Sequence, residues 1–167
     1  MLRAGGTPAR VRSGFATYFE PGFFDEHWAV EYLDGDQWRL ADAQVAGDGR
    51  VPGVDFEFTD VPRDRFLVAG QAWLDCRAGR RDPEAFGVRS AGLTGMWEVQ
   101  GPVVRDLAAL ASIETLPWDD WGLIGRHYDT LAETDLALLD RAAEVSSAGG
   151  PLEAVTALLQ DRRLSPP

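Results

Sequence analysis

The apolar positions in the first 45 residues are rich in β-branched and aromatic side chains, a pattern that predicts strands. Residues 9–19 form one such run, and two more follow at 27–33 and 36–43. Asp34-Gly35 separates the last two runs, and an Asp-Gly pair suits a type I′ turn because both loop positions need positive φ. The pattern therefore predicts one strand followed by a hairpin with a two-residue loop.

Beyond residue 60 the apolar residues take helical spacing, with Pro and Gly at the expected boundaries. Four helices are predicted, over residues 62–79, 102–113, 130–145 and 151–159. Residues 97–99 are expected to form a short strand, and residues 46–60, which hold several Gly and Pro, an irregular segment. The plan is an α+β fold, with an antiparallel sheet in residues 1–60 and a helical extension, 61–167, packed on it as one structural unit.

Length and charge narrow the function classes. The chain has 167 residues and 18.3 kDa, about one domain's worth of sequence. Its 27 acidic and 16 basic residues give a formal charge of −11, which argues against nucleic acid and anionic membrane surfaces as partners. No run reaches the roughly 18 apolar residues of a transmembrane helix, and residues 1–6 hold no apolar stretch, so a secretory signal is not expected.

A single cysteine, Cys76, excludes an intramolecular disulfide and a Cys-rich zinc site. This cysteine content fits a reducing cytoplasm, which is the location we expect. The two histidines lie 100 positions apart with no third ligand nearby, so neither a metal nor a cofactor is predicted. His127 is expected on the surface, and Asp119 and Asp120 in a cap or solvated turn.

The hairpin places candidate chemistry on one face. If Asp34 and Gly35 form the loop, Glu31 lies opposite Trp38 and His27 lies opposite Asp42. Directly opposed residues have Cβ atoms roughly 5 Å apart, so an imidazole would meet a carboxylate. Such a pair is the base and orienter of a nucleophile–His–Asp triad. The alternative is an ordinary surface or edge pair without a catalytic role. Glu31 lies on the same face as His27, where it could line a cleft, but a structural role is expected for it.

A set of short motifs in a fixed order gives the pair more weight: Pro8-Ala9-Arg10, Gly14-Phe15, His27-Trp28, Glu31-Tyr32, Asp34-Gly35, Trp38 and Asp42. With these motifs, residues 2–44 resemble transglutaminase-like domains of the papain-like cysteine-protease fold. Residues 61–125 resemble a C-terminal extension of a bacterial subgroup of that family.

The resemblance implies a partial transglutaminase-like core in residues 1–60, with its antiparallel sheet. It also implies that His27 is the catalytic base and Asp42 its orienter. The implied reaction is acyl transfer through a Cys thioester, either amide hydrolysis or transamidation, on a protein or peptide substrate and without a cofactor. Trp28, next to His27, is expected to shield the pair from water.

The chain departs from this family at the nucleophile. The family's catalytic Cys would precede Leu2 by about three helical turns, so as written we expect the chain to lack turnover and its gene start to lie upstream. Cys76 is expected in the core or at an interface, because free cysteines are commonly buried.

Two hypotheses remain at this point. In the first, the chain is the later part of a transglutaminase-like enzyme. In the second, it is a non-catalytic protein-binding module built on the same fold. The sheet would normally pack on the missing nucleophile helix, so its face is expected to be either bare or covered by a partner or a second copy of the chain, and an exposed apolar face would favour the second hypothesis.

Overall fold

The computed structural model describes residues 2–46 and 51–167. Six strands form one sheet in these residues: β1 (Ala9–Ala16), β2 (Phe24–Asp34), β3 (Gln37–Ala41), β4 (Phe66–Val68), β5 (Phe86–Val88) and β6 (Leu93–Thr94). Four α-helices accompany it: α1 (Ala69–Arg77), α2 (Met96–Leu110), α3 (Glu133–Ala148) and α4 (Leu152–Leu158). The α+β class predicted from the sequence is confirmed.

The sheet is mixed rather than antiparallel, which corrects the prediction. Its order is β4-β1-β2-β5-β6, and β3 also pairs with β2. Four of the pairings are antiparallel, but β2 and β5 run parallel. The parallel pair arises because the chain crosses over through β4 and α1 before β5 returns beside the start of β2.

One edge of β2 is left partly open by this arrangement. Residues 25–32 pair with β1 along one edge. On the other edge, β5 pairs with residues 24–25 and β3 with residues 30–34. In the described part of the chain no strand pairs with this second edge over residues 26–29, and a pocket opens there.

The predicted hairpin forms, but its loop is displaced by one residue. Asp34 pairs with Gln37, so Gly35 and Asp36 make the turn, and Gly35 takes a φ of +64°. Each β2 residue therefore faces a residue two positions further along β3 than predicted, and Glu31 lies opposite Leu40 instead of Trp38. A shift of two positions keeps each side chain on its face of the sheet, because the strand period is two.

Elements beyond residue 60 differ from the helical pattern. The helix predicted from residue 62 begins only at Ala69, because residues 66–68 pair with β1 as strand β4. The short strand predicted at 97–99 lies inside α2, whose long buried face outweighs the local β-propensity. The segment from 61 onward thus contributes three strands as well as four helices.

The last two helices follow the prediction more closely. The third spans Glu133–Ala148 instead of 130–145 and ends at Gly149, which is left-handed, while α4 matches its predicted range to within one residue at each end. The sequence predicts an irregular segment over residues 46–60, and residues 51–60 do form turns and bends. Residues 47–50 of that segment lie outside the described residues. No helix of the described chain is both long and apolar enough to cross a bilayer.

Two apolar clusters lie on either side of the sheet. The larger one joins it to the helices, with Phe15, Trp73, Phe86, Val103 and Leu107 fully buried. The smaller one lies on the other face, where Phe56 and Phe58 pack against Tyr18, Ala29 and Leu40. The second cluster is the one that supports the candidate site.

Candidate active site

His27 and Asp42 meet in the structure. His27 lies on β2, and Asp42 follows the last residue of β3. The His27 Nε2 atom is 2.8 Å from the Asp42 Oδ2 atom, and both side chains are buried. The predicted contact is therefore confirmed, but its geometry is diagonal: in the observed register Asp42 continues β3 toward Ala29, two residues from His27 on the same face.

Asp42 is fixed by hydrogen bonds from several elements. Its Oδ2 atom also accepts the hydroxyl of Tyr18 at 2.6 Å, and its Oδ1 atom accepts the backbone N–H groups of Gln44 and Val45. Burial alone would raise the pKa of Asp42, but the bonds from His27, Tyr18 and Val45 outweigh it and hold the pKa below its usual value. The carboxylate is therefore ionised at neutral pH and can only accept hydrogen bonds.

This electrostatic arrangement fixes the proton on the imidazole. Burial and the hydrogen bond to Asp42 raise the pKa of Tyr18, so its hydroxyl stays a donor. Because Asp42 can only accept, the neutral His27 ring carries its proton on Nε2. The Nδ1 atom is then the free acceptor, as a general base requires.

Tyr18 and Phe19 enclose the imidazole, a role that the sequence did not reveal. Their rings meet the His27 ring edge to face, with centroids 6.3 and 5.0 Å away. Trp28 does not shield the pair as expected, because adjacent residues of a strand point to opposite faces. No spacing rule links Tyr18, in the loop after β1, to a histidine on β2; only the β1–β2 pairing brings them together.

Gly14 is the β1 residue directly opposite His27. A Cβ atom at this position would run into the carbonyl oxygen of Leu67 and the ring of Phe66. Glycine is therefore required for β4 to pair closely with β1 behind the histidine. The Gly-Phe motif seen in the sequence thus has a packing role in the strand that supports His27.

Cys76 is a core residue, as expected. It lies on α1 within the larger apolar cluster, whereas His27 and Asp42 contact Tyr18 of the smaller one. Burial, together with the neighbouring Asp75, raises the pKa of the thiol to about 12. A buried thiol that stays protonated is a poor nucleophile.

Glu31 shares the face of His27 but belongs to a separate ionic network. Its carboxylate pairs with Arg10, Arg12 and Arg63, and Arg12 also binds Asp106 of α2. Burial would raise the pKa of Glu31, but the three guanidinium groups lower it to about 2. Glu31 thus has a structural role, as expected from the sequence.

The remaining sequence candidates lie away from the pair. His127 is largely exposed and stacks on Trp97, with ring centroids 6.0 Å apart. Asp119 caps a turn by accepting the backbone N–H of Leu116, as predicted, and Asp120 is exposed. No group of three or more His, Cys, Asp or Glu side chains in the described residues could hold a metal ion.

Compared with known proteins, the chain matches no family model, no curated sequence and no solved structure. The resemblance to transglutaminase-like domains therefore depends on the motif residues themselves. The catalytic roles of His27 and Asp42 stay a prediction, now joined to an observed geometry.

A pocket of about 570 Å³ opens beside the pair at the unpaired edge of β2. It lies between β2, α2 and the segment after α2, and both His27 and Gln44 reach it. This volume falls within the range of small-ligand and side-chain sites. The histidine therefore borders a space that a substrate group could enter.

Proposed function

We propose that the chain is a transglutaminase-like domain whose His27 and Asp42 supply the base and orienter of a Cys-His-Asp acyl-transfer site. The observation that carries this proposal is the 2.8 Å contact between His27 Nε2 and the buried, fourfold hydrogen-bonded Asp42. A buried carboxylate held by Tyr18 and two backbone N–H groups as well as His27 is more than an ordinary surface His–Asp pair requires. The proposal also draws on the motif order of residues 2–44.

The geometry supports a definite sequence of proton transfers. A thiol gives its proton to Nδ1 of His27 and its sulfur attacks the carbonyl carbon of a carboxamide. The imidazolium, stabilised by Asp42, returns the proton to the leaving nitrogen as the C–N bond breaks. Water or an amine then attacks the thioester with His27 again as base, which gives hydrolysis or transamidation and restores the thiol.

The nucleophilic thiol in this proposal is not Cys76, because that residue lies in the core with a raised pKa. The described residues therefore supply the proton-transfer half of the reaction. A thiol from another source must meet Nδ1 of His27. This requirement makes the proposal testable with a small thiol in solution.

The test measures thiolysis of p-nitrophenyl acetate by added 2-mercaptoethanol in the presence of the protein. We expect the protein-dependent rate to fall at least about tenfold in His27→Gln, since general-base catalysis is worth about 10²–10⁴. Asp42→Asn should also lower it, because the wrong tautomer becomes available. Cys76→Ala should leave the rate unchanged.

His127→Gln is the matched control, since it makes the same substitution at an exposed histidine. Thermal denaturation of each variant verifies that the fold is intact. If folded His27→Gln and His127→Gln proteins give equal rates, His27 is not a general base. The binding-module hypothesis would then account better for the chain.

A further inference from the structure

The pocket beside β2 contains more negative than positive charge. Glu26 of β2, Glu98 of α2 and Asp120 line it, and the only guanidinium among its lining residues is Arg105. Arg105 lies 3.6 Å from Glu26 and 3.7 Å from Asp120, too far for a hydrogen bond to either. The three carboxylates therefore lack a full set of cationic partners in the described residues.

Several polar side chains that line the pocket carry buried atoms without a hydrogen-bond partner among the described residues. Glu26 Oε1 receives no donor there, and the N–H donors Arg105 Nε and Trp28 Nε1 find no acceptor. Burial raises the pKa of Glu26 to about 7 with help from the nearby Glu98, although Arg105 lowers it. A cation placed here would neutralise carboxylates that the fold leaves under-compensated.

The rim of the pocket is aromatic and exposed. Trp118 is 73% exposed and Trp97 39%, and Leu93 lies beside them. Large apolar side chains gathered at the mouth of one pocket are typical of a binding surface. Exposed indoles and carboxylates in one pocket suit a guanidinium, which stacks on aromatic rings and pairs with carboxylates by its planar fork.

We propose that this pocket docks a partner peptide through an Arg side chain, whose guanidinium stacks on Trp118 at the rim and pairs with Glu98 and Glu26. An anionic ligand is disfavoured by the three carboxylates. Lysine fits less well, because its compact ammonium neither stacks on indole nor forks between two carboxylates.

The docked Arg serves recognition and not reaction. Glu26 and Trp28 alternate with His27 along β2, so they lie on the opposite face of the sheet from the His27–Asp42 pair. The pocket nevertheless reaches His27 and Gln44 at the open edge, so the rest of the peptide would extend toward the pair. Its use as a substrate subsite rests on the proposed acyl-transfer function, but the binding itself does not.

The experiment is titration calorimetry with acetyl-Leu-Arg-Leu-amide and the same peptide carrying citrulline, which keeps the shape of Arg without its charge. We expect the Arg peptide to bind about tenfold more tightly. Glu98→Gln should weaken its binding about fivefold or more, and Trp118→Ala by a similar factor, in line with the strength of charge pairing and cation–π contacts.

Glu153→Gln is the matched control. Glu153 and Glu98 both lie in the first turn of a helix, so each substitution removes one negative charge from a first turn, but Glu153 is exposed on α4 and does not line the pocket. We expect Glu153→Gln to change the dissociation constant less than twofold. Thermal denaturation shows whether each variant remains folded.

Equal affinity for the Arg and citrulline peptides would overturn the proposal, as would an unchanged affinity in folded Glu98→Gln. Self-association of the protein that is lost in Glu98→Gln would identify the occupant as a second copy and overturn the partner peptide. Failure of the thiolysis test with retained peptide discrimination would reject only the acyl-transfer function. The two proposals can thus fail independently.

Discussion

At the scale of single residues, the candidate site depends on how one carboxylate is held. Asp42 receives hydrogen bonds from a histidine, a tyrosine and two backbone groups. The tyrosine is the one contributor that can be removed without disturbing the backbone or the histidine. Its hydroxyl therefore allows the strength of the anchoring to be measured.

Tyr18→Phe should lower the free energy of unfolding by about 1.5–3 kcal/mol at pH 7, the range for a hydrogen bond to a charged acceptor. The pKa of Asp42 should rise, since one of the bonds that lower it is lost. Because a lowered carboxyl pKa contributes stability above its unfolded value, the difference between the proteins should shrink as the pH falls through 4. Urea unfolding at several pH values measures both effects.

Tyr32→Phe is the control for that substitution, because the Tyr32 hydroxyl donates to the carbonyl of Thr59 at an exposed site. We expect it to cost less than about 1 kcal/mol, with no dependence on pH. Equal losses in the two variants would mean that the Tyr18 hydroxyl does not anchor Asp42.

At the scale of secondary-structure elements, β2 and α2 meet at the carboxyl group of Glu26, whose negative charge the surrounding residues only partly balance. Glu26 of β2 faces Arg105 and Glu98 of α2, and its pKa is raised to about 7 by burial first and then by Glu98. A raised carboxyl pKa means that the folded protein prefers the protonated form. The contact between strand and helix therefore weakens as the pH rises from about 4.5 to 7.

Glu26→Gln, which mimics the protonated side chain, should thus stabilise the protein at pH 8 and not at pH 4. The rise in the pKa of Glu26 from 4.5 to about 7 corresponds to a gain in the free energy of unfolding of the variant on the order of 3 kcal/mol at pH 8. Urea unfolding at both pH values tests this, with Glu153→Gln as the exposed control. A Glu26→Gln variant that is less stable than the unmodified protein at pH 8 would show that Glu26 is ionised and well paired with Arg105.

At the scale of the whole molecule, the C-terminal residues close the larger apolar cluster. Leu164 is fully buried, and its carbonyl accepts the indole N–H of Trp121. Arg163 pairs with Asp135 of α3, which also binds Arg126. Arg163 and Leu164, in the segment after α4, therefore pack against the helical layer.

Leu164→Ala should lower the free energy of unfolding by about 2–5 kcal/mol, the usual cost of truncating a leucine in a packed core. Leu152→Ala makes the same change at a residue that is 58% exposed and should cost less than about 1 kcal/mol. Chemical denaturation compares the two variants. A loss in Leu164→Ala no larger than in Leu152→Ala would show that the tail does not complete the core.

Much of the architecture follows from short-range signals in the sequence. The strand-rich start, the hairpin at Gly35, the α4 helix and the buried cysteine all agree with local patterns of apolar, turn-forming and small residues. The contact between His27 and Asp42 could also be predicted, because a hairpin register that is wrong by two positions still keeps both side chains on one face. These features depend on neighbours within a few residues or across one turn.

The remaining features depend on residues far apart in the chain. Residues 66–68 pair with β1, and residues 97–99 join a helix buried in the larger cluster, because tertiary contacts outweigh local propensity there. The anchoring of Asp42 by Tyr18 and the meeting of Glu26 with Arg105 arise in the same way. The sequence by itself determined which residue types carry the chemistry and the face on which two of them lie. Only the tertiary structure decided their partners, because packing sets the burial and charge balance around each group.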